Sequence, residues 1–234
     1  MSLWSLLSDV VSRLPFAGTV GCAFDRVVEV LRAAVSPEER RAVAFTISMI
    51  ALSAKMAKAD GVVTDDEVSV VKRLLVVPEH ERANVARLFN IAKQDAAGFE
   101  AYAERIADLH RDAPEMLEDV LDGLFVIAGA DGLVHDRERA FLERVADIFH
   151  VSTAAFGRIM ARHVRPEASD PFVVLGVPRD AHPDEIKRAW RRQVSDNHPD
   201  RLIARGLPAE CVRIATERVA ALNAAYDRIA REYA

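Results

Sequence analysis

The stretch DPFVVLGVPRDAHPDEIKRAWRRQVSDNHPDRLIARGLP, residues 170–208, carries one triplet, His-Pro-Asp, twice, at 182–184 and 198–200. Asp170 suits an N-cap and Pro171 the first position of a short helix that ends at Gly176. A second helix is expected from Asp184 to Asn197. A third is expected from Pro208 to Tyr233, where Val212, Ala215, Val219, Leu222, Tyr226 and Ile229 recur at helical spacing. Pro183 falls where the second helix begins, so a helix start accounts for the whole first triplet. The second triplet follows the basic run DEIKRAWRRQVSDN. Pro199 is expected to turn the chain out of the helix at Asn197 or His198. That puts His198 and Asp200 on an exposed loop beside Lys187, Arg188, Arg191 and Arg192. A turn explains Pro199; it does not explain the basic face next to it.

Upstream, nearly every segment also has helical rather than strand period. Helices are expected over Val43–Ala59, Glu67–Val77, Glu81–Lys93, Ala97–Leu109, Pro114–Ala130, Arg137–Phe149 and Thr153–Ala161. Within them MAKADGVVTDDE, 56–67, matches IAGADGLVHDRE, 127–138, at a constant offset of 71. A duplicated helix-turn-helix unit accounts for the match. The spacing from Gly61 to Glu67 and from Gly132 to Glu138 is that of a calcium loop of the EF-hand type. Yet its first position would be Met56 or Ile127, and its third Lys58 or Gly129, none a ligand for a hard cation. Turn chemistry explains the same residues: Asp-Gly ends one helix, and Thr64 with Glu67 forms a capping box that starts the next. The stretch HVRPEASDP, 163–171, breaks the apolar pattern and is the expected linker.

The net charge of −5 argues against nucleic acid as partner of the whole chain. Cys22 and Cys211 are far apart and form no C-x-x-C, so neither a disulfide framework nor a zinc site is expected, and a reducing compartment follows. The N-terminal MSLWSLLSDVVSRLPFAG is apolar but cut by Asp9 and Arg13, and it lacks the ~20 apolar residues of a membrane span. It is expected to be an amphipathic helix docked on the body, with membrane-surface contact by residues 1–20 as the alternative. No phosphate loop or nucleophile arrangement points to an enzyme.

Two resemblances follow from these residues. KADGVVTDDE and GADGLVHDRE, set on apolar helices, resemble the TerB-like domain of tellurite-resistance proteins over roughly residues 40–160. From the LGV of its first helix through EIKRAWRR and HPD to LNAAY, the segment 170–234 resembles a J-domain. HPDRLIARGLP is similar to the DjlA-like co-chaperones, which join the two in this order. The resemblance implies an all-α fold: an internally duplicated TerB-like bundle, then a small J-domain built on an antiparallel helix pair. It divides the chain into an N-terminal segment 1–35, a TerB-like domain 36–163, a linker 164–169 and a J-domain 170–234. It also implies a cytoplasmic co-chaperone, not an enzyme, that needs no cofactor and stimulates the ATPase of a DnaK-type chaperone, with client proteins as further partners. His198, Pro199 and Asp200 would contact that chaperone, and Lys187, Arg188, Arg191 and Arg192 would steer onto an acidic patch of it. Acidic residues of TerB-like domains have been linked to metal, so Asp60, Glu67, Asp131 and Glu138 stand as candidate ligands for an alternative metal- or stress-sensing role. Two departures bear on the J-domain: Trp190 stands where Tyr is usual, and Gln193 where a core Leu is usual.

Overall fold

Residues 3–12, 37–60, 71, 74–94, 98–129, 134–163, 169–205, 207–208 and 212–233 are described in the computed structural model. They form eleven α-helices and no strands. In chain order these are α1 (Leu3–Ser12), α2 (Pro37–Asp60), α3 (Arg82–Gln94), α4 (Phe99–Leu109), α5 (Glu115–Ala128), α6 (Asp136–Ile148) and α7 (Thr153–His163). The C-terminal set is α8 (Pro171–Leu175), α9 (Pro183–Asp196), α10 (Pro199–Arg205) and α11 (Val212–Glu232). A 3₁₀ turn, Glu79–Glu81, leads into α3. The helix expected over Glu67–Val77 lies largely outside the described residues, as do Thr64 and Glu67 and all of the linker except Ser169.

α2 is the centre of the N-terminal bundle, with α1, α3, α4, α5 and α6 packed around it. Every residue from Val43 to Ala57 is buried, three hydroxyls included. Thr46, Ser48 and Ser53 each donate to the carbonyl four residues back, Ala42, Ala44 and Met49, so none is left unsatisfied. Lys55, also buried, sets its ammonium 4.4 Å from the centre of the Tyr102 ring. α1 sends Trp4, Leu7 and Val11 into this core. Its Ser8 hydroxyl donates to the buried Glu81 carboxylate at 2.8 Å, and Asn84 donates to the same carboxylate at 2.9 Å.

α8, α9 and α11 enclose a second, smaller core of Phe172, Leu175, Ile186, Leu222 and Ile229. Its caps form as the sequence indicates. The Asp170 side chain accepts from the Phe172 amide at 3.0 Å, Pro171 opens α8, and Gly176 closes it with φ +61°. Gln193, at the usual Leu position, donates its side-chain amide to the Leu175 carbonyl at the end of α8. Trp190 stacks on Tyr226 with centroids 4.3 Å apart and donates to Asn223 at 2.9 Å. Both departures are satisfied.

The two cores meet. Leu202 and Leu207, after the second triplet, and Ile214 and Ala215, at the start of α11, belong to the core of the N-terminal bundle. Complete burial of a leucine such as Leu202 contributes about 2 kcal/mol. Contacts of α11 with α5 and α7, and of α8 with α7, complete the junction.

Candidate functional site

α9 begins with a capping box: His182 Nδ1 accepts from the Asp184 amide at 3.3 Å, and the His182 amide donates to Glu185 at 3.2 Å. Ile186 and Ala189 turn inward, while Lys187, Arg188, Arg191 and Arg192 are exposed. Lys187, Arg191 and Val194 or Ser195 follow one another at intervals of three or four, which places them in one row along α9, and His198 lies two residues past its end. Trp190, Arg191, Val194, Ser195, His198, Asp200 and Arg201 line an open groove of about 440 Å³.

The second triplet is not on a loop, and that expectation is corrected. Pro199 opens α10, a seven-residue helix, and His198 is the residue before it. The His198 carbonyl accepts from the Arg201 and Leu202 amides at 2.9 and 3.1 Å. Its Nδ1 accepts from the Asp200 amide at 3.3 Å, the distance found in the first triplet. Proline does end α9, but it suits the first position of the next helix equally well, since that position needs no N–H donor. The two triplets therefore share one local geometry, and both histidines are exposed, His182 at 71% and His198 at 56% of the side chain.

The surroundings separate them. At the position of Glu185 the second triplet has Arg201, which reaches back to Asp196 at 2.6 Å and leaves the reciprocal cap unmade. Lys187, Arg188, Arg191 and Arg192 form no ion pair with any described residue, Arg188 donating only to the Asp184 backbone carbonyl at 3.2 Å, so their positive potential is open to a partner. With Nδ1 accepting, a neutral His198 carries its proton on Nε2.

Sequence reasoning missed a cluster directly behind this surface. Arg218 of α11 is buried and donates from Nε to Asp122 at 2.5 Å and from Nη1 to Asp119 at 2.8 Å. Nη1 also donates to Asn197, the residue before the second triplet, at 2.8 Å. Asp122 further pairs with Arg162 at 3.1 Å and with His163 at 2.8 Å, whose ring stacks on Phe125. Burial alone would favour a protonated Asp122, but Arg162, Arg218 and His163 outweigh it and hold the carboxyl well below the usual carboxylate range. Burial would likewise lower the Arg218 pKa, and Asp122 and Asp119 instead raise it. One signal was visible in the sequence: two aspartates, three apart, inside the apolar helix EMLEDVLDGLFVIA.

Of the four acidic residues considered for metal, Glu138 and the helical backbone of Asp60 are described. Glu67 and Asp131 lie outside the described residues, as does the Asp60 side chain. Glu138 is buried and accepts from the His135 amide at 2.8 Å, which is the capping-box role. Among the described residues no group of three or more His, Cys, Asp or Glu could hold a metal ion. No helix among them is long and apolar enough to cross a membrane.

Comparison with known proteins agrees with this architecture. The tellurite resistance protein TerB family matches residues 46–161, and the DnaJ domain family matches residues 170–232. A relative named co-chaperone protein DjlA, from Photobacterium profundum, is 31% identical over 83% of this chain and 79% of its own length. The chain belongs to the DjlA co-chaperone family. The DjlA of Photorhabdus laumondii is 26% identical over 98% of this chain and 96% of its own, and that of Vibrio cholerae 29% over 80% and 78%. No solved structure matches. As a DjlA-family J-domain co-chaperone, the chain has its second triplet and basic helix inside the DnaJ-matched segment, and its Asp119–Asp122 pair inside the TerB-matched one.

Proposed function

We propose that this chain stimulates ATP hydrolysis by a DnaK-type chaperone through His198, Pro199 and Asp200, with Lys187, Arg188, Arg191 and Arg192 guiding encounter. The observation that carries the reading is the exposed cationic surface of α9, whose Lys187, Arg188, Arg191 and Arg192 have no ionic partner among the described residues, leading to the exposed His198 just past its end. Unpaired surface cations in a row raise the association rate with an acidic surface and make it sensitive to salt. His198 and Asp200 serve as contacts: the histidine offers Nε2–H, and Pro199 fixes the backbone at the start of α10. Binding this surface more tightly in the hydrolysis-competent state of the chaperone would shift its population toward that state. The TerB-like region, taken as residues 36–163, serves as the regulatory or targeting module, and residues 170–234 as the J-domain working in the cytoplasm, where ATP is available.

The two triplets supply their own control. His198→Gln should fold normally and abolish stimulation of the partner's steady-state ATPase, whereas His182→Gln, in the same local geometry, should leave it intact. Equal loss in both variants, or wild-type stimulation by His198→Gln, refutes the assignment.

A further inference from the structure

The Arg218 cluster has a feature that fold stability alone does not require. An arginine held between two buried carboxylates is no better for stability than well-packed apolar side chains of similar volume. Here the same guanidinium that pairs with Asp119 and Asp122 on α5 also holds the side chain of Asn197. Asn197 in turn donates from Nδ2 to the Gln193 carbonyl at 2.8 Å, and its backbone leads directly into His198. Two side chains, Arg218 and Asn197, therefore connect the TerB-matched bundle to the first residue of the triplet. The apolar packing fixes the same relation. A Cβ on Gly123 would lie 2.8 Å from the Met49 side chain and 3.0 Å from that of Ile214, so the bare backbone of α5 is what admits Ile214, one turn before Arg218. Leu202 anchors α10 in the bundle core from the other side.

We propose that Arg218 is a positioning residue: held by Asp119 and Asp122, it fixes Asn197 and so sets where α10 begins and how His198, Pro199 and Asp200 are presented. The TerB-like bundle thereby controls the competence of the triplet from behind, while the cationic row of α9 stays open in front. This proposal rests on the co-chaperone reading above, but its first readout needs no chaperone.

The test uses the full chain. Asn197→Ala cuts the connection and leaves the ion cluster in place. The Arg201 and Leu202 amides, which donate to the His198 carbonyl, report whether the first turn of α10 is closed. Their hydrogen exchange should accelerate about tenfold, the scale of one lost charge-assisted hydrogen bond, with exchange from Val219 to Ile229 unchanged. Maximal stimulation of a DnaK-type ATPase should fall about fivefold at saturation, with the half-saturating concentration within about twofold of wild type, because the cations are untouched. Arg218→Lys, which keeps a cation between the carboxylates without the planar fork, should reproduce both changes. Wild-type exchange at Arg201 and Leu202 in both variants overturns the proposal. So does acceleration spread evenly through α11, which marks a merely structural role. If the wild-type chain gives no stimulation at all, the co-chaperone reading falls, and the exchange result alone decides the role of Arg218.

Discussion

His110 should make the N-terminal bundle lose stability on mild acidification. The residue closes α4, its ring is 1% exposed, and Nε2 lies 3.3 Å from the Ser48 hydroxyl. That hydroxyl donates to the Ala44 carbonyl at 2.7 Å, so the ring is the donor between the two, which a neutral imidazole protonated at Nε2 satisfies. Burial lowers the pKa from 6.5 to about 4, and Asp112 pulls the other way by less. Above pH 6.5 the ring is neutral in both the folded and the unfolded chain, and the full stability is present. Between 6.5 and about 4 the unfolded chain takes up a proton that the folded chain refuses, so stability falls as pH falls. Below about 4 both are protonated and this loss stops growing. At about 1.4 kcal/mol per pH unit, the loss amounts to about 3 kcal/mol. His110→Gln keeps an N–H donor for Ser48 and cannot titrate. Urea unfolding of both proteins at pH 7.5 and pH 4.5 should show the wild type losing about 2–3 kcal/mol more than the variant. Other titrating groups are common to both proteins and cancel in that comparison. Equal losses would refute the assignment of a neutral buried ring.

Three further outcomes are expected. Asp122→Asn leaves Arg162 and Arg218 buried beside a neutral amide and should cost about 3–5 kcal/mol at neutral pH, read by denaturant unfolding; a cost below about 1 kcal/mol would show that the arginines find water instead. Arg191→Ala with Arg192→Ala should raise the half-saturating concentration for ATPase stimulation and flatten its dependence on salt, with the maximum little changed; an unaltered salt response would place the encounter surface elsewhere. Gly176→Ala should destabilise the chain by about 1–2 kcal/mol in thermal unfolding, because φ there is +61° and the added Cβ would meet the Arg158 side chain at 2.9 Å; no loss would mean that α8 can end another way.

Much of the fold was legible in the sequence because its signals are local. The Asp170-Pro171 cap, Gly176 and the 3–4 spacing on α11 each act within a few residues, and hydrogen bonding along a helix makes such signals sufficient. For the same reason α10 was missed. Seven residues show no usable periodicity, and Pro199, a breaker for the helix before it, is a favourable first residue for the helix after it. Local geometry also cannot rank the two His-Pro-Asp triplets, since each histidine accepts from its own Asp amide at 3.3 Å. What the chain alone settled was an all-helical molecule with a J-domain-like end and a basic helix leading to residue 198. What only the tertiary structure decided was that Arg218, 96 residues from Asp122 and 21 from Asn197, joins the two. A guanidinium and a carboxylate in sequence look like surface charges; only burial against each other gives them a shared role, and burial is a property of the packed chain.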